Sequence, residues 1–233
     1  MPDTPSQPHQ PPPYHPQARF SSAHTRALFA QALLLANAAV AAVSLLVNVY
    51  AATSSASSVS VGEEEINAAE LMLGFVALAQ LFVYLATIVL FIVWLHRAYK
   101  NVPAFGVQTE HSPGWAAGSW FIPFLNLVRP YQIVKETWVK SDPGVDLSAG
   151  YADAGAGARA ATLVGVWWAF WLLSNVVGNV HGRLVGDAQT PDQVSSAAAL
   201  GIASDALTVV AAGLAFLVVR TIDRMQEEKA ARL

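Results

Sequence analysis

Residues 115–128 read WAAGSWFIPFLNLV, an apolar stretch of fourteen residues that is followed directly by Arg129 and Pro130. A helix needs about 20 apolar residues, at 1.5 Å each, to cross the hydrocarbon layer of a membrane, so this stretch is too short to span one. Gly118 and Pro123 also interrupt it. The sequence therefore predicts a segment that lies at a membrane surface or re-enters the membrane, and not a crossing.

Four longer apolar segments surround this stretch, and each is long enough to cross a bilayer. Glu70 and Asp205 are the two charged residues inside these segments. Because a backbone in lipid must satisfy its own amides, we expect helices and not isolated strands. The predicted fold is all-α and integral to the membrane, with four transmembrane helices and a re-entrant or interfacial helical hairpin between helices 2 and 3. The predicted spans are residues 27–52, 68–95, 160–180 and 197–219.

The composition of the whole chain agrees with a membrane protein. Hydrophobic residues make up 54% of the 233 residues and charged residues 12%, and the mean hydropathy is +0.41. A soluble domain has roughly 45–50% apolar and 25% charged residues. A net charge of −3 gives no field that would attract nucleic acid, and the absence of cysteine excludes thiolate sites.

The basic residues indicate the orientation. With four spans and a cytoplasmic N-terminus, twelve of the thirteen Lys and Arg residues lie on the cytoplasmic side and Arg183 alone lies outside. A fifth crossing at residues 115–128 would divide them almost evenly. Since basic residues accumulate on the cytoplasmic side, we expect four spans in the plasma membrane with both termini cytoplasmic.

The predicted domain organisation follows from these segments. Residues 1–24 are polar and Pro-rich, with Pro11-Pro12-Pro13-Tyr14 at their centre, and are expected to form a disordered cytoplasmic tail. Residues 25–226 form the membrane domain, which contains an interfacial segment at 112–140. Residues 227–233 form a second cytoplasmic tail.

The segment at 112–140 carries the residues expected to contact lipid headgroups or a partner. Trp115 and Trp120 prefer the headgroup zone, and Arg129 is able to hold a phosphate. From Tyr131 to Lys140 an amphipathic helix is predicted, with Tyr131, Val134 and Trp138 on one side and Lys135, Glu136 and Lys140 on the polar side. The predicted contact residues are Trp115, Trp120, Pro123, Asn126, Arg129, Pro130 and Tyr131.

Polar side chains inside the spans form a second group of candidates. Asp205 is a carboxylate within a span, which is costly and by default suggests a function such as a proton or cation relay with Asn175, Asn179 and His181. The alternative is that it fixes helix packing through hydrogen bonds. Polar stripes also occur at Asn37, Ser44 and Asn48 of the first span and at Gln80, Tyr84 and Thr87 of the second. Such stripes fit a hydrogen-bonded bundle or a central cavity for a solute.

Several fixed motifs carry a family resemblance. They are Trp94-Leu95-x-Arg97-Ala98-x-x-Asn101, then Ser112-Pro113-Gly114-Trp115 through Asn126-Leu127-x-Arg129-Pro130-Tyr131, then Ser174-Asn175 and Gly178-Asn179. The chain resembles, over roughly residues 71–226, the actinobacterial membrane family of domain of unknown function 4328. This resemblance implies a multi-pass plasma-membrane protein without an assigned activity, and it supplies no catalytic or ligand residues.

No catalytic motif is present in the sequence: there is no His-Glu-x-x-His, Gly-x-Ser-x-Gly or Walker loop. We therefore expect a protein that is not an enzyme and uses no cofactor or metal. The first expectation is a membrane scaffold or accessory protein that acts through its Trp/Pro hairpin on the bilayer, on a membrane-protein partner or on a second copy, and not on nucleic acid. The alternative is a small-solute or ion transporter or channel that uses Asn175, Asn179 and Asp205.

Overall fold

The computed structural model describes residues 19–54, 68–145, 154–187 and 190–233. Of the described residues, 84% are helical and none lies in a strand. The long helices are α1 (His24–Ser54), α2 (Ala68–Asn101), α5 (Ala154–Asp187) and α6 (Pro191–Ala230). Between α2 and α5 lie the short α3 (Trp115–Gly118) and the 13-residue α4 (Arg129–Ser141). Two 3-10 turns, Val102–Phe105 and Leu125–Leu127, connect these elements.

The four long helices confirm the predicted spans. Each is long and apolar enough to cross a membrane, and each encloses one of the segments expected from the sequence. The helices extend beyond the apolar segments because local signals set their ends. At α6, for example, Thr190 and Gln193 form a reciprocal capping box, Pro191 occupies the first turn and Asp192 adds a favourable charge there.

The four long helices pack in the order α2, α1, α6, α5. This row curves, so that its two outer helices face each other: Tyr84 of α2 lies 3.1 Å from Asn175 of α5, and the rings of Phe91 and Trp167 lie 5.5 Å apart. Small residues allow the close contacts. On α1 the buried residues recur every three or four positions, which places them on one helix face. They are Ala23, Ala27, Ala30, Leu34, Asn37, Ala41 and Ser44. Because hydrocarbon provides no hydrophobic driving force between helices, such small side chains favour packing by letting backbones approach.

The core lies at one end of the bundle, where α4 packs against α2, α5 and α6. We call this the hairpin end, and the opposite end the loop end. The fully buried side chains cluster there: Trp94, Leu95, Tyr99, Val102, Ile133, Val134, Val164, Val218, Val219 and Ile222. Burial at this end fixes α4 and the hairpin on the long helices.

The start of α1, the last turns of α6 and the described part of the connection between α2 and α5 meet at the hairpin end. The Ser21 amide donates to Asn101 Oδ1 (3.3 Å), and His24 Nδ1 lies 2.7 Å from Asp223 Oδ2. Gln226 is fully buried there, where its Nε2 donates to Ala98 O (2.8 Å) and Ser141 Oγ (3.0 Å). The connection between α2 and α5 therefore begins and ends at the same end of the bundle. This is the arrangement expected for an even number of membrane crossings.

The two predicted tails are only partly within the described residues. Residues 1–18 lie outside them. Residues 19–24 are packed on the bundle: the Phe20 ring lies 5.7 Å from that of Phe105, and Ala23 is buried. At the other end α6 continues through most of 227–233, to Ala230.

Candidate functional site

The hairpin between α2 and α4 exposes apolar side chains at its tip. Phe121 is 76% exposed and Phe124 is 85% exposed. Phe124 has φ +64°, a left-handed conformation that is unusual for a bulky residue and that reverses the chain after Pro123. The tip thus presents aromatic rings outward, which suits contact with lipid.

Trp120 packs against other aromatic rings of the bundle. Its ring packs at 5.8 Å from Phe91, 5.8 Å from Trp168 and 5.6 Å from Trp171, each in an edge-to-face arrangement. Trp168 Nε1 also donates to Leu127 O (2.9 Å). Edge-to-face aromatic pairs are favourable beyond the area they bury, so Trp120 joins the hairpin to α2 and α5.

The other predicted hairpin residues divide between surface and core. Trp115 is 39% exposed, and its ring centroid lies 5.9 Å from the Arg129 guanidinium carbon. Arg129 Nη1 lies 2.6 Å from His111 Nε2. Pro123 is exposed and Asn126 is half-buried. Pro130 is buried and Tyr131 packs on the core, so these two residues support the bundle and not an outer surface.

The structure corrects the prediction that Glu136 lies on the polar side of α4. This carboxylate is 8% exposed and accepts hydrogen bonds from Tyr99 Oη (2.7 Å), the Glu110 amide (2.7 Å) and Lys140 Nζ (2.6 Å). Residues 106–114 fold over it, and the His111 amide donates to Tyr99 Oη (3.0 Å). Glu136 therefore ties this loop to α2 and α4.

A cavity of about 630 Å³ lies between α2 and α5, the two outer helices of the row. We call it the α2–α5 cleft. At the hairpin end its walls are aromatic and aliphatic, formed by Ile88, Phe91, Trp120, Trp167 and Trp171. At the loop end they are polar: Gln80 faces the exposed residues Asn179, Gly182 and Arg183. The cleft thus changes from apolar to polar along its length.

One hydrogen bond crosses the middle of the cleft. Tyr84 Oη on α2 donates to Asn175 Oδ1 on α5 (3.1 Å), and Asn175 Nδ2 donates to Trp171 O (2.7 Å). Asn37 also lines the cleft and is 5% exposed, and its Oδ1 has no hydrogen-bond partner among the described residues. A buried acceptor without a donor is energetically unfavourable.

Asp205 lies next to the cleft and not in its wall. It is 7% exposed and accepts from Asn48 Nδ2 (3.0 Å) and Gln80 Nε2 (3.3 Å). The partners predicted from the sequence are therefore replaced by residues of α1 and α2. Asn179 Nδ2 donates to Asn175 O (2.7 Å), and His181 Nδ1 lies 2.9 Å from Ala197 O. Asn175 and Asn179 line the cleft, as a solute-binding role requires.

A second groove, of about 420 Å³, runs along α5 above the hairpin. Asn126 and Leu127 form its base, and it shares Asn175, Asn179 and Arg183 with the α2–α5 cleft. No role was predicted for Arg183, although it was the one basic residue expected outside. Its isolation from the other cations was the signal that could have found it.

Comparison with known proteins supports the resemblance seen in the sequence. The family model described as "Domain of unknown function (DUF4328)" matches residues 57–224. The chain belongs to this family. The DUF4328 match includes α2, the hairpin, α4 and α5, and so contains both walls of the cleft, whereas α1 precedes it. No curated protein and no solved structure matches the chain. In the described residues, no group of three His, Asp or Glu side chains is placed to hold a metal ion. This DUF4328 chain is a multi-pass membrane protein of unknown role.

Proposed function

We propose that this protein is a non-enzymatic plasma-membrane protein that binds a small solute in the α2–α5 cleft, as a transporter or channel does. The observation that carries the proposal is the cleft itself, with polar side chains converging on it from both walls. Its volume of about 630 Å³ falls in the range of roughly 300–1,000 Å³ that is usual for ligand pockets. Polar groups at mid-membrane between helices are also where transporters bind their substrates.

Asn37 adds a polar side chain to the wall of the cleft. The side chain is buried, and its Oδ1 receives no hydrogen bond from the described residues. We further propose that the loop end of the cleft faces the outside, as the distribution of basic residues predicts.

Cysteine labelling tests this proposal, because the chain contains no cysteine of its own. Ser174 lines the cleft, whereas its neighbour Leu173 is exposed on the same helix and lies outside the lining. We expect Ser174→Cys to react with a membrane-impermeant methanethiosulfonate about tenfold faster than Leu173→Cys, since the reactive thiolate forms only in contact with water. Because the loop end of the cleft is proposed to face the outside, reagent added to intact cells should label Ser174→Cys.

A blocking variant provides the control. A Cβ at Gly182 or at Gly186 would meet no atom within 4 Å, but only Gly182 lines the cleft. Gly182→Leu should therefore slow the labelling of Ser174→Cys, and Gly186→Leu should not. Equal labelling rates for Ser174→Cys and Leu173→Cys would show a dry cleft and overturn the proposal.

The exposed hairpin tip favours a second candidate function, a scaffold that contacts lipid or a membrane-protein partner. Phe121 and Phe124 supply the apolar surface, and neither belongs to the buried core. The test compares membrane pull-downs of the parent chain with those of the Phe121→Ser/Phe124→Ser variant. Loss of a defined partner supports this role, and an identical set of partners argues against it. Trp120 is unsuitable for this variant because it packs inside the bundle.

A further inference from the structure

We infer that the ligand of the α2–α5 cleft is an anionic amphiphile, whose acidic group binds Arg183 and whose apolar body lies against the tryptophans at the hairpin end. This inference rests on the proposed function and adds the chemical class of the ligand. It depends on the charge at the mouth of the cleft and on the order of side chains along its walls.

Among the described residues, Arg183 is the one charged side chain in the cleft lining. It is exposed, and no carboxylate in the described parts of the chain lies within ion-pair distance of it. Asp205 lies behind Gln80, where both of its oxygens already accept hydrogen bonds from amides. A ligand that enters the cleft therefore meets the guanidinium, whose planar donors match a carboxylate or phosphate.

The wall of α5 is ordered from apolar to cationic. Trp167, Trp171, Asn175, Asn179 and Arg183 follow one another at four-residue intervals, and all five line the cleft. Because each step of four residues turns the helix by about 40°, they form a ridge that winds around α5 along the cleft. Sixteen residues at 1.5 Å each correspond to about 24 Å, which is most of the roughly 30 Å thickness of a bilayer core. Only an elongated molecule with one acidic end and one apolar end matches both ends of this wall.

The opposite wall has the same order. On α2, the amide of Gln80 and the hydroxyl of Tyr84 lie toward the loop end, beside Ala77 and Leu81. Thr87, Ile88, Phe91 and Ile92 lie toward the hairpin end. The second groove meets the cleft at Asn179 and Arg183, so it offers room for a second aliphatic chain from the same headgroup. A fatty acid and an anionic phospholipid share this chemistry, and the experiment distinguishes them.

The tryptophans at the base of the cleft report binding, because bromine quenches the fluorescence of a tryptophan that it contacts. The probes are 16-bromohexadecanoic acid and the matching bromo-alcohol, added to the full chain in nanodiscs of phosphatidylcholine. We expect saturable quenching by the acid and binding of the alcohol about tenfold weaker, because a charge-assisted bond to Arg183 is lost. Arg183→Gln should reduce the affinity for the acid to that for the alcohol. Arg220→Gln, an exposed arginine outside the cleft lining, should not.

A second set of nanodiscs identifies the source of the acidic group. The ligand is a phospholipid if tail-brominated phosphatidylglycerol quenches the fluorescence more than tail-brominated phosphatidylcholine does, and if Arg183→Gln removes this difference. The ligand is a free acid if Arg183→Gln weakens quenching by the brominated fatty acid alone.

Three results would overturn the inference. Equal affinities for acid and alcohol, both reduced by Gly182→Leu, would show an uncharged ligand and leave the proposed function intact. If no probe gives saturable quenching although Ser174→Cys is labelled, the inference about the ligand fails and the proposed function stays intact. Dimers cross-linked through Asn179→Cys would show that a second copy covers the cleft. The proposed function itself is tested separately: it fails if the Ser174→Cys variant does not react with the labelling reagent.

Discussion

Glu136 gives the strongest test of how the hairpin end is held together. In Glu136→Ala the hydroxyl of fully buried Tyr99 and the amide of Glu110 lose their acceptor, and Lys140 loses its ion pair. Each orphaned donor costs roughly 1–3 kcal/mol, and breaking one side of a buried pair costs about 3–5 kcal/mol in total. Lys140 keeps its bond to Gln108 O (2.9 Å), so we take about 4 kcal/mol for the loss in the free energy of unfolding.

For a chain of this size 1 kcal/mol corresponds to a shift of about 2–4 °C in Tm, so Glu136→Ala should lower Tm by about 8–16 °C. The assay is thermal unfolding of the purified protein, followed by fluorescence-detected size exclusion. Glu136→Gln keeps one acceptor oxygen and should lose less than half as much. Gln132→Ala, an exposed position on the same helix, should stay within about 0.5 kcal/mol of the parent. If Glu136→Ala unfolded at the temperature of Gln132→Ala, the carboxylate would not hold the 106–114 loop and the reasoning would fail.

Two further predictions concern the cleft and its surroundings. Tyr84→Phe removes the hydrogen bond to Asn175 and should lower Tm by only a few degrees, since such bonds in membranes contribute about 0.6–1.7 kcal/mol. The same change should make labelling of Ser174→Cys faster. An unchanged labelling rate would show that the bond does not restrict access to the cleft. Asp205→Asn keeps an oxygen for one of its two amide donors and should also cost about 1 kcal/mol if the carboxylate fixes packing. Loss of a pH-dependent solute or proton flux in proteoliposomes, at unchanged Tm, would instead indicate a relay.

The number of spans was predictable because it depends on properties of the linear sequence. Length and hydropathy located four helices, and the basic residues excluded a fifth crossing at 115–128. The short length of that stretch, with Gly118 and Pro123 inside it, predicted a hairpin, and the structure contains one. None of these steps requires knowledge of which helix lies next to which.

The side-chain environments were not predictable, because they depend on the rotation and order of the helices. Glu136 has the spacing of a solvated residue, yet residues 106–114 cover it. Trp120 is a residue type that is common at membrane interfaces, yet its ring packs edge-to-face against Phe91 and Trp171. Asp205 lies in the span that follows Asn175 and Asn179 along the chain, but its side chain accepts hydrogen bonds from Asn48 and Gln80 instead. The polar stripes of the first two spans were visible, whereas their pairing across helices was not.

The packing order of the helices does not follow the order of the chain. The long helices α2 and α5 are consecutive in the sequence but are the first and last in the row, and they meet across the cleft through Tyr84 and Asn175. The described part of the segment that joins them, residues 102–145, packs across the hairpin end of the bundle through α4. A change in the separation of α2 and α5 would therefore change the distance that this segment bridges. If ligand binding in the cleft thereby alters how the hairpin presents Phe121 and Phe124, a partner bound to those rings must alter the affinity for the ligand in turn.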